Sequence, residues 1–200
     1  MPAILFSSVE LNQLAISEPN VSLRGNRSCA VTAASGKPVC LRLPARRAPF
    51  GTTSWDNPDA TRRNLDLSDM PPELIRWLES LDDWVIQYAL KNSVKLFKSQ
   101  KTQAEIQTMY CNLIKPGKND YPPTLRCKVN LAGSGTVRCW RTEDGETKRR
   151  DLPELEGWRN AVMEAVVLVS GLWLQSKSFG LTLLITDASL QDMAEEDCPF

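Results

Sequence analysis

The spacing of hydrophobic residues changes twice along the chain. Short apolar runs at residues 3–9, 28–33 and 38–43 lie between segments rich in Gly, Pro, Asn and Ser, which predicts three strands. Over residues 74–88 apolar side chains recur every three or four positions, the pattern of an amphipathic helix, and a shorter helix is predicted for residues 102–110. Alternating apolar and polar residues then return. The pattern predicts strands, a helical insertion at about residues 71–110, and strands again.

Two hairpins are predicted in the C-terminal half. The first joins strands at residues 124–131 and 136–141 through the turn AGSG, and the second joins residues 162–174 and 179–190 through SKS. The run 162–174 is apolar on both faces near its middle, which indicates a central strand covered on both sides. A helix is the alternative there, but Gly171 and four valines favour a strand.

These elements fit one α+β domain with a mainly antiparallel sheet over residues 1–190. Residues 46–63, rich in Pro, Gly, Asn and Asp, are predicted to form a long irregular loop that leads into a short strand, NLDLS.

The composition excludes several kinds of chemistry. The chain contains no histidine, and its six cysteines form no C-x-x-C pair, which removes the usual zinc ligand sets and histidine-based nucleophile arrangements. We therefore expect a protein that is not an enzyme and needs no metal or cofactor. Cys127 and Cys139 occupy alternating apolar positions, which predicts buried, reduced thiols. The longest strongly apolar run is about ten residues, too short to span a membrane, and the N-terminus lacks the features of a secretory signal. An intracellular protein is expected.

A formal net charge of zero conceals strongly charged segments. Residues 21–63 carry eight Lys or Arg against two acidic residues, and residues 91–150 carry thirteen against five. Residues 151–200 reverse the balance, with nine acidic residues against two basic ones. A basic middle and an acidic end indicate a polyanionic partner and an acidic tail, although solvated surface charge is the alternative explanation.

Basic and aromatic residues are interleaved in the predicted strands and loops. Alternation places Arg126 and Lys128 opposite the apolar residues of one strand, and Arg138 and Trp140 opposite those of the next, so pairing of the two strands would give a cationic face. Further candidates lie in loops and on strands: Arg42, Arg46, Arg47, Phe50, Trp55, Lys177 and Phe179.

Interleaved cations and rings suit single-stranded nucleic acid, because cations neutralise phosphates and rings stack on bases of any sequence. For each ring, a role in the core is the alternative. A protein-interaction or assembly module, whose basic face binds an acidic partner, is the alternative function.

Several stretches, quoted in chain order, resemble a family of single-stranded DNA-binding proteins from large DNA viruses of algae and protists, with relatives in some dinoflagellates. They are LRLPARRAPFGTTSWDN, NLDLS, LIRWLESLDDWVIQYALKNSVKLF, MYCNLIKPGKNDYPPTLRCKVN and SGLWLQSKSFGLTLLITDASL. The resemblance covers roughly residues 28–190. Its most specific pieces are Ala48–Gly51 with Trp55 and Asp56, Tyr121–Thr124, and Gly171–Trp173 with Lys177, Phe179 and Gly180.

The resemblance implies an elaborated OB-like β-barrel that coats single-stranded DNA during replication, recombination or repair. It also implies a location in the nucleus or in a viral replication compartment. RNA as a ligand and self-association of the chain stay open.

The last nine residues, DMAEEDCPF, include four acidic residues and end in an aromatic side chain. This end resembles the tip of bacterial single-strand-binding proteins, which implies a disordered tail at residues 191–200 that recruits replication or repair proteins. A second role, as a weak mimic of the phosphate backbone, is also expected, while a merely solubilising terminus is the alternative. The predicted partner-binding residues are Glu195, Glu196, Asp197, Pro199 and Phe200.

Overall fold

The structure is a computed structural model that describes residues 3–23, 25–54, 57–117, 121–143 and 146–191, without the side chains of residues 142, 143 and 191. Its strands are β1 (Ile4–Leu5), β2 (Leu14–Ile16), β3 (Asn20–Val21), β4 (Arg27–Ala33), β5 (Cys40–Ala48), β6 (Thr52–Thr53), β7 (Arg62–Leu67), β8 (Ile114–Lys115), β9 (Thr124–Asn130), β10 (Arg138–Glu143), β11 (Glu146–Arg150), β12 (Ala161–Leu174) and β13 (Phe179–Gln191). Its helices are α1 (Pro72–Lys91), α2 (Ser93–Phe97) and α3 (Gln103–Met109).

The described residues divide into two compact units. The first unit comprises residues up to 41, residues 71–115 and residues 168–183, and therefore contains all three helices. The second unit comprises residues 42–70, residues 116–167 and the described residues from 184 onwards. Strands β5, β12 and β13 contribute residues to both units. Whether residues 1–190 behave as a single domain stays a prediction.

Helix α1 of the first unit is the amphipathic helix that the apolar spacing predicts. Pro72 lies in its first turn, where the missing N–H has no partner to lose, and Leu74, Leu78, Leu81 and Val85 are buried. The spacing of these leucines and valine places them on one face. The predicted helical insertion is therefore confirmed.

Helix α3 begins with a capping box. The Glu105 N–H donates to Thr102 Oγ1 at 3.3 Å, and the Thr102 N–H donates back to Glu105 Oε2 at 2.8 Å. This reciprocal pair explains why a helix of seven residues starts at Gln103.

An aromatic cluster lies in the core of the first unit. Phe179, at the start of β13, is fully buried, and its ring centroid lies 5.1 Å from those of both Phe97 and Tyr110. The Cys111 N–H donates to the Phe179 carbonyl at 2.9 Å, so backbone and rings together attach the helical insertion to β13.

Asp82 of α1 carries a carboxylate that is buried in the first unit. Its two oxygens accept hydrogen bonds from the Tyr110 hydroxyl at 2.6 Å and from the Leu113 N–H at 3.0 Å. Burial raises the pKa of Asp82 to about 6, although both hydrogen bonds act to lower it. Burial and the neighbouring carboxylate also raise the pKa of Tyr110, so its hydroxyl stays a donor.

The raised pKa makes stability depend on pH. Between about pH 4 and pH 6 the folded state holds a proton on Asp82 that the unfolded state has lost, so the free energy of unfolding falls as pH rises. We expect this contribution to reach on the order of 2–3 kcal/mol and to be absent from Asp82→Asn. Urea unfolding at several pH values measures it, with the exposed Glu79→Gln on the same helix as control. Parallel pH profiles for the wild type and Asp82→Asn would contradict the assignment.

The sheet of the first unit is built around β4, which pairs antiparallel with β12, β2 and β3. A glycine is required at position 171, because a Cβ there would lie 2.4 Å from the Cys29 carbonyl oxygen. The strand predicted for residues 3–9 is wrong in extent: the strand comprises Ile4–Leu5, and Phe6–Ser8 form a 3-10 turn. That turn buries Phe6 against Trp77, with ring centroids 6.1 Å apart.

The sheet of the second unit contains the adjacent strands β6, β7, β9 and β13. β7 runs antiparallel to β9, with Asp66 opposite Arg126 and Asn64 opposite Lys128, while β9 runs parallel to β13. Leu125 and Cys127 of β9 are fully buried, as the alternation predicts. Cys127 and Cys139 are confirmed as buried, free thiols, and burial raises the pKa of both.

The predicted hairpin between β9 and β10 is wrong. Both strands run parallel to β13, β9 beside residues 184–185 and β10 beside residues 187–189. The chain leaves the edge of β13 after Asn130 and rejoins it at Arg138, and the Val137 N–H donates to the Asn130 carbonyl at 2.9 Å to close the loop. The antiparallel partner of β10 is β11.

Two other predictions need adjustment. The region 46–63 is not wholly irregular, because β5 continues to Ala48 and β6 and the start of β7 fall within it. β12 is a strand, as predicted. Buried residues alternate with partly buried ones along it, so one face is covered and the other is covered only in part. The turn after β12 is confirmed, with the Gln175 N–H donating to the Ser178 carbonyl at 2.9 Å.

A mainly β chain with a helical insertion confirms the predicted α+β class, with a mixed sheet that includes parallel pairs. In the part of the chain that the structure describes, no helix is both long and apolar enough to cross a membrane.

Candidate nucleic-acid interface

The polar face of β7 and β9 carries two of the predicted cations. Arg126 donates to both oxygens of Asp66, from Nε and from Nη2, at 2.8 Å each. Lys128 Nζ donates to Asn64 Oδ1 at 2.6 Å, and burial, with Arg62 and Arg126 nearby, lowers the pKa of this lysine. Both side chains are therefore held in fixed positions, and a phosphate would have to share Arg126 with a carboxylate.

Arg138 and Trp140 lie side by side on β10 and share one acceptor. Arg138 Nη2 donates to Asp187 Oδ2 at 2.7 Å, and Trp140 Nε1 donates to Asp187 Oδ1 at 2.9 Å. Burial acts to raise the pKa of Asp187, but the hydrogen bonds from Arg138, Trp140 and Thr186 outweigh it and hold that pKa below its ordinary value. The carboxylate stays ionised near neutral pH and fixes the polar edge of the Trp140 ring.

Strand β5 positions three further predicted cations. Arg42 forms an ion pair with Glu164 at 2.8 Å. Their side chains are 59% and 40% exposed, so the pair contributes little to the stability of the fold. Arg46 Nη1 donates to the Asp69 carbonyl at 2.8 Å. Arg47 is exposed, and its Nη2 donates to Asn160 Oδ1 at 3.2 Å.

The turn after β5 places Phe50 at the surface. The Ala48 carbonyl accepts from the Gly51 N–H at 3.4 Å and from the Asn160 N–H at 2.8 Å, which joins this turn to the start of β12. Gly51 has φ +63°, and a Cβ there would lie 3.1 Å from the Arg159 nitrogen. The glycine therefore allows Phe50 and Arg159 to lie on neighbouring segments.

An open groove of about 350 Å³ lies beside this turn, within the second unit. Phe50 is 54% exposed and Tyr121 is 69% exposed, and among the described residues they are the two exposed aromatic side chains. Both line the groove, together with the exposed cations Arg47 and Arg159. Two large exposed rings in one groove with two arginines are unusual for a surface that only faces water. We call this surface the Phe50–Tyr121 groove.

The sequence prediction did not include Tyr121 or Arg159. Tyr121 precedes two prolines, which keep it out of helix and strand interiors, and that signal could have identified an exposed ring. Arg159 lies in the acidic C-terminal segment, where its charge is outweighed by that of its neighbours in sequence. The groove brings these two residues together with the predicted Arg47 and Phe50.

Lys177 and Phe179 belong to the first unit. Lys177 is exposed on the turn between β12 and β13, and its role as a phosphate ligand stays a prediction. The prediction that Phe179 is a stacking ring is wrong, because this side chain is fully buried in the aromatic cluster with Phe97 and Tyr110. Alternation along β13 turns its ring inward.

Trp55 lies outside the described residues, and so do the tail residues Glu195, Glu196, Asp197, Pro199 and Phe200. Their predicted roles stay predictions.

No protein-family model matches this chain, and no curated protein sequence matches it. Solved structures of the single-stranded DNA-binding protein from bacteriophage Enc34 are similar to it. A C-terminal truncation of that protein has a TM-score of 0.50 at 11% sequence identity, covering 93% of this chain and 99% of the phage chain. The complex of the phage protein with ssDNA has a TM-score of 0.49 at 11% identity, covering 88% and 96% of the two chains. A further structure has a TM-score of 0.47 at 12% identity, covering 93% and 96%.

The likeness to the truncated phage protein extends over nearly the whole of both chains. At this identity it shows the fold, and it confirms the predicted OB-like, mainly β fold class.

Proposed function

We propose that this protein binds single-stranded DNA through its second unit, without catalysis, and coats exposed strands during replication, recombination or repair. The observation that carries the proposal is the Phe50–Tyr121 groove, where two exposed rings lie with two exposed arginines. The fold shared with a phage protein that is described as binding single-stranded DNA supports it.

The groove suits a flexible strand better than a duplex. Each ring offers a face for a base, a contact of about 1–3 kcal/mol that does not depend on sequence. Arg47 and Arg159 can neutralise phosphates on either side, with release of counterions. Arg42 can leave Glu164 for a phosphate at small cost, because that pair is exposed.

Fluorescence anisotropy of a labelled oligo-dT tests the proposal. We expect binding at low salt, with the logarithm of affinity falling linearly with the logarithm of salt concentration. Replacing Arg47 and Arg159 by alanine should make that slope shallower by about 1.4, since each phosphate contact on a single strand contributes roughly 0.7. An absence of binding at low salt would refute the proposal. Binding to acidic protein partners instead would favour the assembly module.

We also propose that the acidic end of the chain competes with DNA and recruits partner proteins. Its four acidic residues can mimic phosphates, and Phe200 offers an apolar group beside them.

Removing residues 192–200 is therefore expected to tighten DNA binding several-fold at low salt, with a smaller gain at high salt because salt screens exposed charges. A variant with amides at the four acidic positions should match the deletion, whereas Phe200→Ala should bind DNA like the wild type and lose only partner binding. Anisotropy at two salt concentrations measures the first effect. Equal affinities for the wild type and the deletion would remove the competing role.

A further inference from the structure

A second groove lies in the second unit, and apart from the shared Arg159 none of its lining residues belongs to the Phe50–Tyr121 groove. It has a volume of about 470 Å³, larger than the Phe50–Tyr121 groove. Trp140 lines it together with Arg141, Arg150 and Arg159, and Pro153 and Leu190 contribute apolar surface. Like the first groove, it combines aromatic surface with guanidinium groups, and its three arginines outnumber its one acidic lining residue, Asp151.

Trp140 is held in place before any ligand arrives. Its Nε1 donates to Asp187 Oδ1 at 2.9 Å, and the same carboxylate is fixed by Arg138 at 2.7 Å and by Thr186 at 3.0 Å. A ring anchored at one edge loses little conformational freedom when a flat group stacks on it, which favours binding. The ring is half-buried, so part of it is accessible from the groove.

Arg159 connects the two grooves. Arg159 is a lining residue of both the Phe50–Tyr121 groove and the Trp140 groove. It follows a 3-10 turn that ends in the fully buried Trp158, and its own N–H donates to the Glu156 carbonyl at 2.9 Å. The two grooves are therefore neighbours on the surface of the second unit, joined at Arg159.

We propose that one single strand occupies both grooves, passing over Arg159 so that a base beyond those at Phe50 and Tyr121 stacks on Trp140. This inference rests on the proposed function and extends its binding site. Short oligonucleotides fill one groove, and longer ones reach the second. Among the tryptophans that the structure describes, Trp140 is the one that lines either groove, so we expect its fluorescence to report the arrival of the longer strand.

Oligo-dT of about 4 and about 16 nucleotides, the range of site sizes for OB folds, separates the two grooves. We expect the longer oligonucleotide to quench tryptophan fluorescence strongly in the wild type and much less in Trp140→Phe. Trp140→Ala should weaken binding of the longer oligonucleotide about tenfold and change binding of the shorter one less than twofold. The half-buried Trp84 of the first unit supplies the control, because Trp84→Phe should retain the wild-type quenching.

Circular dichroism and thermal unfolding of each variant separate loss of binding from loss of folding. If the longer oligonucleotide binds the wild type but Trp140→Ala keeps wild-type affinity and Trp140→Phe keeps full quenching, the two-groove path is refuted and the proposed function stands. If neither oligonucleotide binds the wild type, the proposed function and the two-groove path are both refuted.

Discussion

Replacing Phe50 and Tyr121 together by alanine is expected to weaken binding of single-stranded DNA by roughly 2–6 kcal/mol, a loss of about thirtyfold or more. Both rings are more than half exposed and line one groove, so their removal deletes two stacking faces and no core packing. Anisotropy titration of a labelled oligo-dT at moderate salt measures the loss. Each single variant should lose part of it.

The control for this double variant is Leu155→Ala. Leu155 is also an exposed apolar residue of the second unit, but it lines neither groove, so its removal should leave affinity unchanged. The dependence of affinity on salt should also stay the same in the double variant, because the rings carry no charge. A double variant that binds within twofold of the wild type would show that the groove does not hold bases.

Phe179→Ala is expected to lower the free energy of unfolding by about 3–5 kcal/mol, the usual range for removing a fully buried phenylalanine. The ring contacts Phe97 and Tyr110, so its loss leaves a cavity between the helical insertion and β13. Urea unfolding monitored by circular dichroism measures the change. Lys177→Ala, two residues earlier and exposed, should change stability by less than about 0.5 kcal/mol.

This variant also separates a core role from a binding role. Where Phe179→Ala remains folded, its affinity for oligo-dT should equal that of the wild type, because the buried ring touches no ligand. Loss of affinity in the folded variant, with stability retained, would restore Phe179 as a stacking residue.

Local patterns predicted the elements of this fold well. The three- and four-residue spacing of leucines found α1, and alternation found β9 and the buried cysteines. The pairing of strands was harder to predict, because period-two alternation assigns the two faces of a strand but does not identify the neighbouring strand. The turn AGSG looked like a hairpin, yet β9 and β10 both pair with β13, a partner distant in sequence.

The candidate site was predicted only in part, for related reasons. Arg47 and Phe50 were found because a basic and an aromatic residue lie together in sequence. Tyr121 and Arg159 join them only through folding, which brings residues more than 70 positions apart to one groove. Arg126 and Arg138 were predicted as phosphate ligands without their carboxylate partners, since Asp66 and Asp187 lie on other strands.

The loop between β9 and β10 gives the chain a place where its length can change. Its two ends are fixed, both by pairing with β13 and by the hydrogen bond from Val137 to Asn130. The free energy of closing such a loop rises only slowly with added residues, and no residue between these ends lines either groove. A peptide epitope or a small reporter domain inserted between Gly133 and Ser134, both exposed, would leave the strands on either side in register. The same position would let related chains gain or lose residues without rearranging the sheet.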